Sequence, residues 1–348
     1  MFFRIFFAFL FFSRAAHAVL VCYEPFNYSA TGGINGANGG IGWAAGWTNS
    51  PLNTGDNPVV SGGLTLAGVA SSGNKMTTIG GSDLTTGSGI RAFRRIDTTR
   101  PAVTSLVDSA TGKLGAQNTS LWISFLVRLA SGSNGGNGGV HLYDGIGNLN
   151  TYYDGDKINH ERVFMGDRAS NIYWFWGRTC GGCAYAVTVD TTVQVTTNQH
   201  LLAYRYDFTN AAVNVRMFID PPAGTNPPPD NTAVVSTNNI YPFVFDYVEI
   251  GSANGSPYER LDFDEFRIAT TFAEITPTNS PPTFSTAIAT NALHFESAGV
   301  PGIFYTLQAT TNFASWQPVT NGETPADGVI RIDETNALPM RAFRISWP

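Results

Sequence analysis

From Leu121 to Leu129 the chain reads LWISFLVRL, with side chains alternating at a period of two. Leu121, Ile123, Phe125, Val127 and Leu129 share one face; Trp122, Ser124, Leu126 and Arg128 share the other. Successive strand residues point to opposite sides of a sheet, so this segment is a strand with one fully apolar face and one mixed face. Shorter strand-like runs follow one another with turn residues between them: Val19 to Glu24, Leu64 to Ala70, Ile90 to Ile96, Val140 to Tyr143, Arg162 to Met165, Ile172 to Trp176, Ala184 to Val189, Leu201 to Phe208, Ala212 to Ile219, Phe243 to Ile250 and Leu261 to Ile268. Only Phe272 to Ile275 fits a turn of helix, and the proline-rich stretch Pro221 to Asp230 cannot lie inside a sheet. Many short strands without long helices predict an all-β fold, a sandwich or barrel of antiparallel strands. Composition points the same way. Charged residues make up 13% of the chain, about half the usual share of roughly 25%, which excludes a disordered polymer. Three lysines in 348 residues argue against a helical bundle, while 37 glycines and 13% aromatics suit half-buried strands joined by tight turns.

Residues 1–18 read as a secretory signal peptide. Arg4 supplies the positive end, Ile5 to Phe12 the apolar run, and Ala16-His17-Ala18 the cleavage site. The run is far shorter than the roughly 20 residues that span a bilayer. The mature chain is expected to start at Val19 and to be secreted or held at the cell surface, with no transmembrane segment. Cys22 has no small residue before it, which argues against a lipoprotein anchor. Losing Arg4 and Arg14 takes the formal charge from −6 to −8, and Arg94-Arg95 is the densest basic pair. A phosphate backbone needs a positive footprint, so nucleic acid is excluded as an expected partner. Cys180-Gly181-Gly182-Cys183 lies between two strand-like runs. Redox use needs a helix N-terminus and zinc needs a second ligand pair, so a Gly-Gly hairpin turn with cross-linkable cysteines is the favoured reading. Toward the C-terminus, TPTNSPPT has the composition of a linker. The expected organisation is a β-sandwich over 19–276, a Pro-rich linker at 277–284 and a small β-module over 285–348. That module's strands are expected at Ala292 to Glu296, Phe304 to Ala309, Val329 to Ile332 and Ala342 to Ser346, with Trp316 and Phe343 in its core.

Several segments together resemble one family. Tyr23-Glu24-Pro25-Phe26-Asn27-Tyr28, followed by Ile34-Asn35-Gly36-Ala37-Asn38-Gly39-Gly40-Ile41-Gly42-Trp43, is similar to the start of secreted bacterial concanavalin A-like (LamG-like) jelly rolls. Asp264-Glu265-Phe266-Arg267-Ile268-Ala269-Thr270 resembles the closing "DE-x-R-I-x-T" strand of such domains. The resemblance covers roughly residues 19–277, and the tail from Gly299 to Trp316 looks like a β-module found behind them. It implies an antiparallel jelly-roll β-sandwich, and carbohydrate binding by analogy.

Glycosidic cleavage needs two carboxylates flanking the bond. Asp262 and Asp264 share a face, but Arg267 stands where the glucanase-type E-x-D-x-x-E pattern needs another carboxylate. Asp264 and Glu265 are therefore expected to orient loops or pair with arginines, and no catalytic residue is assigned. His141, His160, His200 and His294 sit in no recognisable nucleophile motif. Asp154, Asp156, Asn159 and Glu161 offer oxygen ligands that suit calcium, although their spacing is not that of an EF-hand and a solvated turn is the plainer explanation. In Tyr173-Trp174-Phe175-Trp176 the two tryptophans share one face, which is either core or a sugar-stacking platform, with Tyr152 and Tyr153 as its rim. Trp43 and Trp47 are expected to close the core. The expected function is a non-catalytic, lectin-like protein that binds a glycan or surface polymer. The alternatives are an adhesive surface protein acting through protein contacts, and a glycoside hydrolase or lyase.

Overall fold

The computed structural model describes residues 18–50, 55–71, 73–79, 90–132, 136–146, 160–167, 172–178, 187–224, 226–253, 259–278, 284–289, 292–299, 304–312, 315–325, 328–334 and 342–346. In chain order the strands are β1 (Leu20–Glu24), β2 (Thr48–Asn49), β3 (Val59–Val60), β4 (Lys75–Thr77), β5 (Arg91–Arg95), β6 (Val107–Asp108), β7 (Lys113–Leu114), β8 (Thr119–Ser131), β9 (Asn137–Tyr143), β10 (Glu161–Asp167), β11 (Tyr173–Arg178), β12 (Val187–Gln194), β13 (His200–Phe208), β14 (Val213–Ile219), β15 (Val235–Ile240), β16 (Tyr247–Ala253) and β17 (Arg260–Ala269). A single helical turn, α1 (Phe272–Ile275), follows as expected. One sheet runs β15-β14-β13-β8-β17-β4-β3, with β1 also on β17; the other runs β12-β11-β10-β9-β16-β5-β2. All the described pairings are antiparallel. This is the jelly-roll β-sandwich that the sequence predicts.

The core lies between the two sheets. Leu121, Ile123, Phe125, Val127 and Leu129 of β8 all enter it, as their alternation requires. The mixed face of β8 is covered too. Trp122 packs on Phe218, Phe272 and Ile275, and Leu126 packs with Leu64, Val69 and Leu201. The stretch Leu64 to Ala70 is thus no strand but a loop laid over the sheet. Two of its N–H groups go to side chains instead of a ladder, Leu64 N–H to Asp264 Oδ2 at 2.8 Å and Thr65 N–H to Gln199 Oε1 at 2.7 Å, while Ala70 N–H donates to the Pro277 carbonyl at 2.7 Å.

The two motifs that carry the family resemblance meet in space. β1 lies antiparallel to the second half of β17, with Tyr23 opposite Arg267. The Tyr23 hydroxyl donates to Glu265 Oε2 at 2.9 Å, Arg267 donates to the same oxygen at 3.1 Å, and its guanidinium lies 3.7 Å from the centre of the Tyr23 ring. The ladder slips between Asp264 and Arg267, and Glu265 takes φ of 51°, as a β-bulge does. The bulge lets one long strand serve β4 before it and β1 after it. Beside it, Glu24 is wholly buried and accepts from Arg94 Nη1, the Tyr28 hydroxyl, Trp47 Nε1 and Phe26 N–H. Arg94 also donates to the carbonyls of Ala45 and Gly39 and to Asn38. This one guanidinium therefore fastens the Gly/Asn-rich loop to β1. Gly42 is held at φ of 82°, where a Cβ would stand 2.0 Å from the Val21 carbonyl oxygen, so only glycine fits that approach. Trp47 is buried against Phe26, and Trp43 packs on the core and donates to the Tyr23 carbonyl.

Near the C-terminus, β18 (Phe284–Ala289), β19 (Ala292–Ala298) and β22 (Val329–Glu334) form one three-stranded sheet. A second contains β20 (Phe304–Thr310), β21 (Gln317–Glu323) and β23 (Ala342–Ser346). Phe295, Leu307, Ile330 and Ile332 form their own apolar cluster, with Phe343 packed against it.

Candidate functional site

Trp174 and Trp176 are both 0% exposed and lie in the core between the sheets. Trp176 Nε1–H donates to the Tyr206 hydroxyl across the sandwich at 3.0 Å. The sugar-stacking platform expected from this pair is therefore absent: the shared face of the two tryptophans is the inward one, and no ligand ring can reach it. Tyr152, Tyr153, Asp154, Asp156 and Asn159 lie outside the described residues, as do Cys180 and Cys183. Glu161 is described, at the start of β10, and belongs to a different cluster from the one expected. Among the described residues, no three His, Cys, Asp or Glu side chains gather as a metal-binding set.

That cluster sits on the outer face of the second sheet. The Tyr143 hydroxyl donates to Glu161 Oε2 at 3.3 Å and lies within hydrogen-bonding reach of the Glu249 carboxylate. Arg91 Nη1 donates to Glu249 Oε1 at 2.9 Å, and His141 Nδ1 is 3.2 Å from Glu161 Oε1. His141 stacks on Phe164 with ring centres 4.2 Å apart. Burial and the two carboxylates push the Tyr143 phenol well above its usual range. Tyr143, Glu249 and His141 are all buried. The groups answer one another across β5, β16, β9 and β10, which makes the cluster a clamp on the sheet. Asp264 and Glu265 are likewise structural: Asp264 holds the Leu64 loop and Glu265 pairs with Arg267.

An open cleft of about 650 Å³ lies at one end of the sandwich. That volume falls within the roughly 300–1,000 Å³ typical of small-molecule sites. It is built where several elements end. Asp144 follows β9, Arg162 opens β10, Arg178 closes β11, Phe208 ends β13, and Tyr241, Pro242 and Phe243 follow β15. Phe208 and Phe243 meet edge to face at 5.5 Å and form an apolar floor. Gly115 is required at the wall, since it takes φ of 116° and a Cβ there would stand 2.8 Å from the Phe243 carbonyl oxygen. Tyr241 is 60% exposed, the most exposed large hydrophobic side chain among the described residues. The Arg178 guanidinium lies 5.2 Å from the centre of its ring and donates to its carbonyl at 2.6 Å. Asp144 takes up the charge of Arg162 through Nε at 2.9 Å and lies 2.6 Å from His160 Nδ1. Lys113 Nζ donates to the Asp144 carbonyl.

No family model and no curated protein matches the chain. Among solved structures, the chain is similar to the T. cruzi calreticulin globular domain, with a TM-score of 0.42 and 12% identity over 74% of this chain and 90% of that one. It is similar to an endo-1,3-beta-glucanase from Streptomyces sioyaensis, with a TM-score of 0.42 and 11% identity over 74% and 98%. It is also similar to the carbohydrate recognition domain of Emp46p in its metal-free form, with a TM-score of 0.34 and 11% identity over 64% and 87%. These are concanavalin A-like lectin and glucanase folds. Likenesses this distant transfer no activity to this chain.

Proposed function

We propose that the chain is an extracellular glycan-binding sandwich that holds a polysaccharide at the Tyr241 cleft without cutting it. One observation carries the reading: an exposed ring backed by a guanidinium, at the mouth of a cleft with an apolar floor. Sugar C–H faces stack on such rings, and the polar groups of Gln117, Thr209 and Asp144 stand at the rim to orient hydroxyls. The signal-like residues 1–18 support export. The Asp144 carboxylate is engaged by Arg162, which leaves the cleft no second free acid for bond cleavage among its described lining. A second reading, a glycan-cleaving enzyme, draws on the one phenol reached by two carboxylates, Glu161 and Glu249, but burial closes that cluster to substrate.

The test is retention of residues 19–348 on a panel of immobilised polysaccharides, with the supernatants assayed for released sugar. Retention without release, lost in Tyr241→Ala, is expected. Released sugar overturns the non-cleaving role. Absence of retention on every polymer overturns glycan binding and favours a surface protein that works through protein contacts.

A further inference from the structure

Three arginines among the described residues are buried: Arg94, Arg267 and Arg178. Arg94 is matched by Glu24 and Arg267 by Glu265. Arg178 is 3% exposed and has no carboxylate partner among the described residues; its Nη1 donates to a neutral carbonyl and its Nε–H has no acceptor. Burial disfavours its charge, and a second guanidinium, Arg162, adds to that effect. Uncompensated buried charge is costly. The acids that share the cleft do not supply the missing partner. Asp144 is bound to Arg162, and Asp108 accepts from the Thr111 backbone and hydroxyl within its own turn. A ligand anion entering the cleft would bring Arg178 both the charge and the acceptor that it lacks.

We infer that the cleft selects a carboxylate-bearing sugar, a hexuronate unit of an acidic polysaccharide, with Arg178 as the counter-ion of the carboxylate and Tyr241 as the stacking face. This deepens the glycan-binding reading and rests on it. A sugar acid is favoured over an acidic peptide because the charge sits beside an exposed flat ring and an apolar floor of Phe208 and Phe243. Binding brings the anion to a guanidinium that is already positioned by Tyr241, so little ordering is needed.

The experiment measures affinity of residues 19–348 for polygalacturonate, for the same polymer after reduction of its carboxyl groups, for dextran sulfate, and for polyglutamate. Polygalacturonate is expected to bind most tightly, and the reduced polymer about tenfold or more weaker, as fits loss of a charge-assisted hydrogen bond. Arg178→Gln is expected to show the same loss toward polygalacturonate, to weaken the reduced polymer by a smaller factor because the Tyr241 ring loses its backing, and to keep the unfolding midpoint of the parent. Arg178→Lys, which keeps the charge, controls for a folding defect in the glutamine variant. Equal affinity for the native and reduced polymers, still lost in Tyr241→Ala, overturns the acid selectivity and leaves the glycan reading standing. Tighter binding of dextran sulfate overturns the carboxylate in favour of a sulfate ester. Equal binding of polyglutamate overturns the sugar. Binding to none of the four overturns the inference, while retention of a neutral glycan in the wider panel keeps the parent reading.

Discussion

The residues that carry the family resemblance act on structure. Glu24 is buried with four donors around its carboxylate, and the largest effect on its proton affinity is burial, which pushes it up against the pull of Arg94. Glu24→Gln keeps the shape and leaves Arg94 charged and unmatched, so we expect a loss of about 3–5 kcal/mol, read as a lower urea midpoint. Trp174 gives a complementary case. Trp174→Ala removes a core side chain and is expected to cost about 3–5 kcal/mol in unfolding, with glycan retention per folded molecule unchanged. Alternation made it legible that the two faces of Tyr173 to Trp176 differ. It could not tell which face is inward, because large aromatics stand on both. The sign that was missed is Arg178: it has the same inward parity as Trp174 and Trp176, and an arginine on a core face at the end of a strand marks a place where the core opens.

At the scale of elements, long alternating runs were legible and short polar ones were not. β8, β13 and β14 match their expected spans closely because each sends one regularly alternating apolar face into the core. β15, with the sequence VSTNNI, is a largely polar edge strand held by its neighbour, and no local pattern announces it. Leu64 to Ala70 has strand-like composition, yet two of its N–H groups go to side chains distant in sequence and not to a ladder. One of these, Asp264 on the β17 bulge, gives the element a pH dependence. Burial and the nearby Glu265 carboxylate push the Asp264 carboxyl well above its usual range. The folded chain then keeps a proton that the unfolded chain releases at about pH 4. The resulting stabilisation is complete below that pH and is lost as pH rises through the folded-state value. Asp264→Asn should flatten the fall in urea midpoint as pH rises above about 4, even if its absolute stability is lower.

At the scale of the molecule, the all-β architecture was readable from punctuation and period, whereas the cleft was not. Its lining comes from the ends of β9, β10, β11 and β13 and the turn after β15, which no single window of sequence brings together. The C-terminal sheets bury their own cluster around Phe295. Phe295→Ala is expected to cost those sheets about 3–5 kcal/mol. Polysaccharide retention should be unchanged and the C-terminal strands should become sensitive to protease. The pairing of β1 with β17 also sets a clock. The first strand waits for a partner about 250 positions downstream, which at typical synthesis rates means roughly 12–50 s of waiting. Until then, β8 lacks one of its two neighbours and the central sheet has an open seam. The central sheet can therefore close only once β17 has been made, so the long-range pairing that completes the sandwich comes last in the order of synthesis.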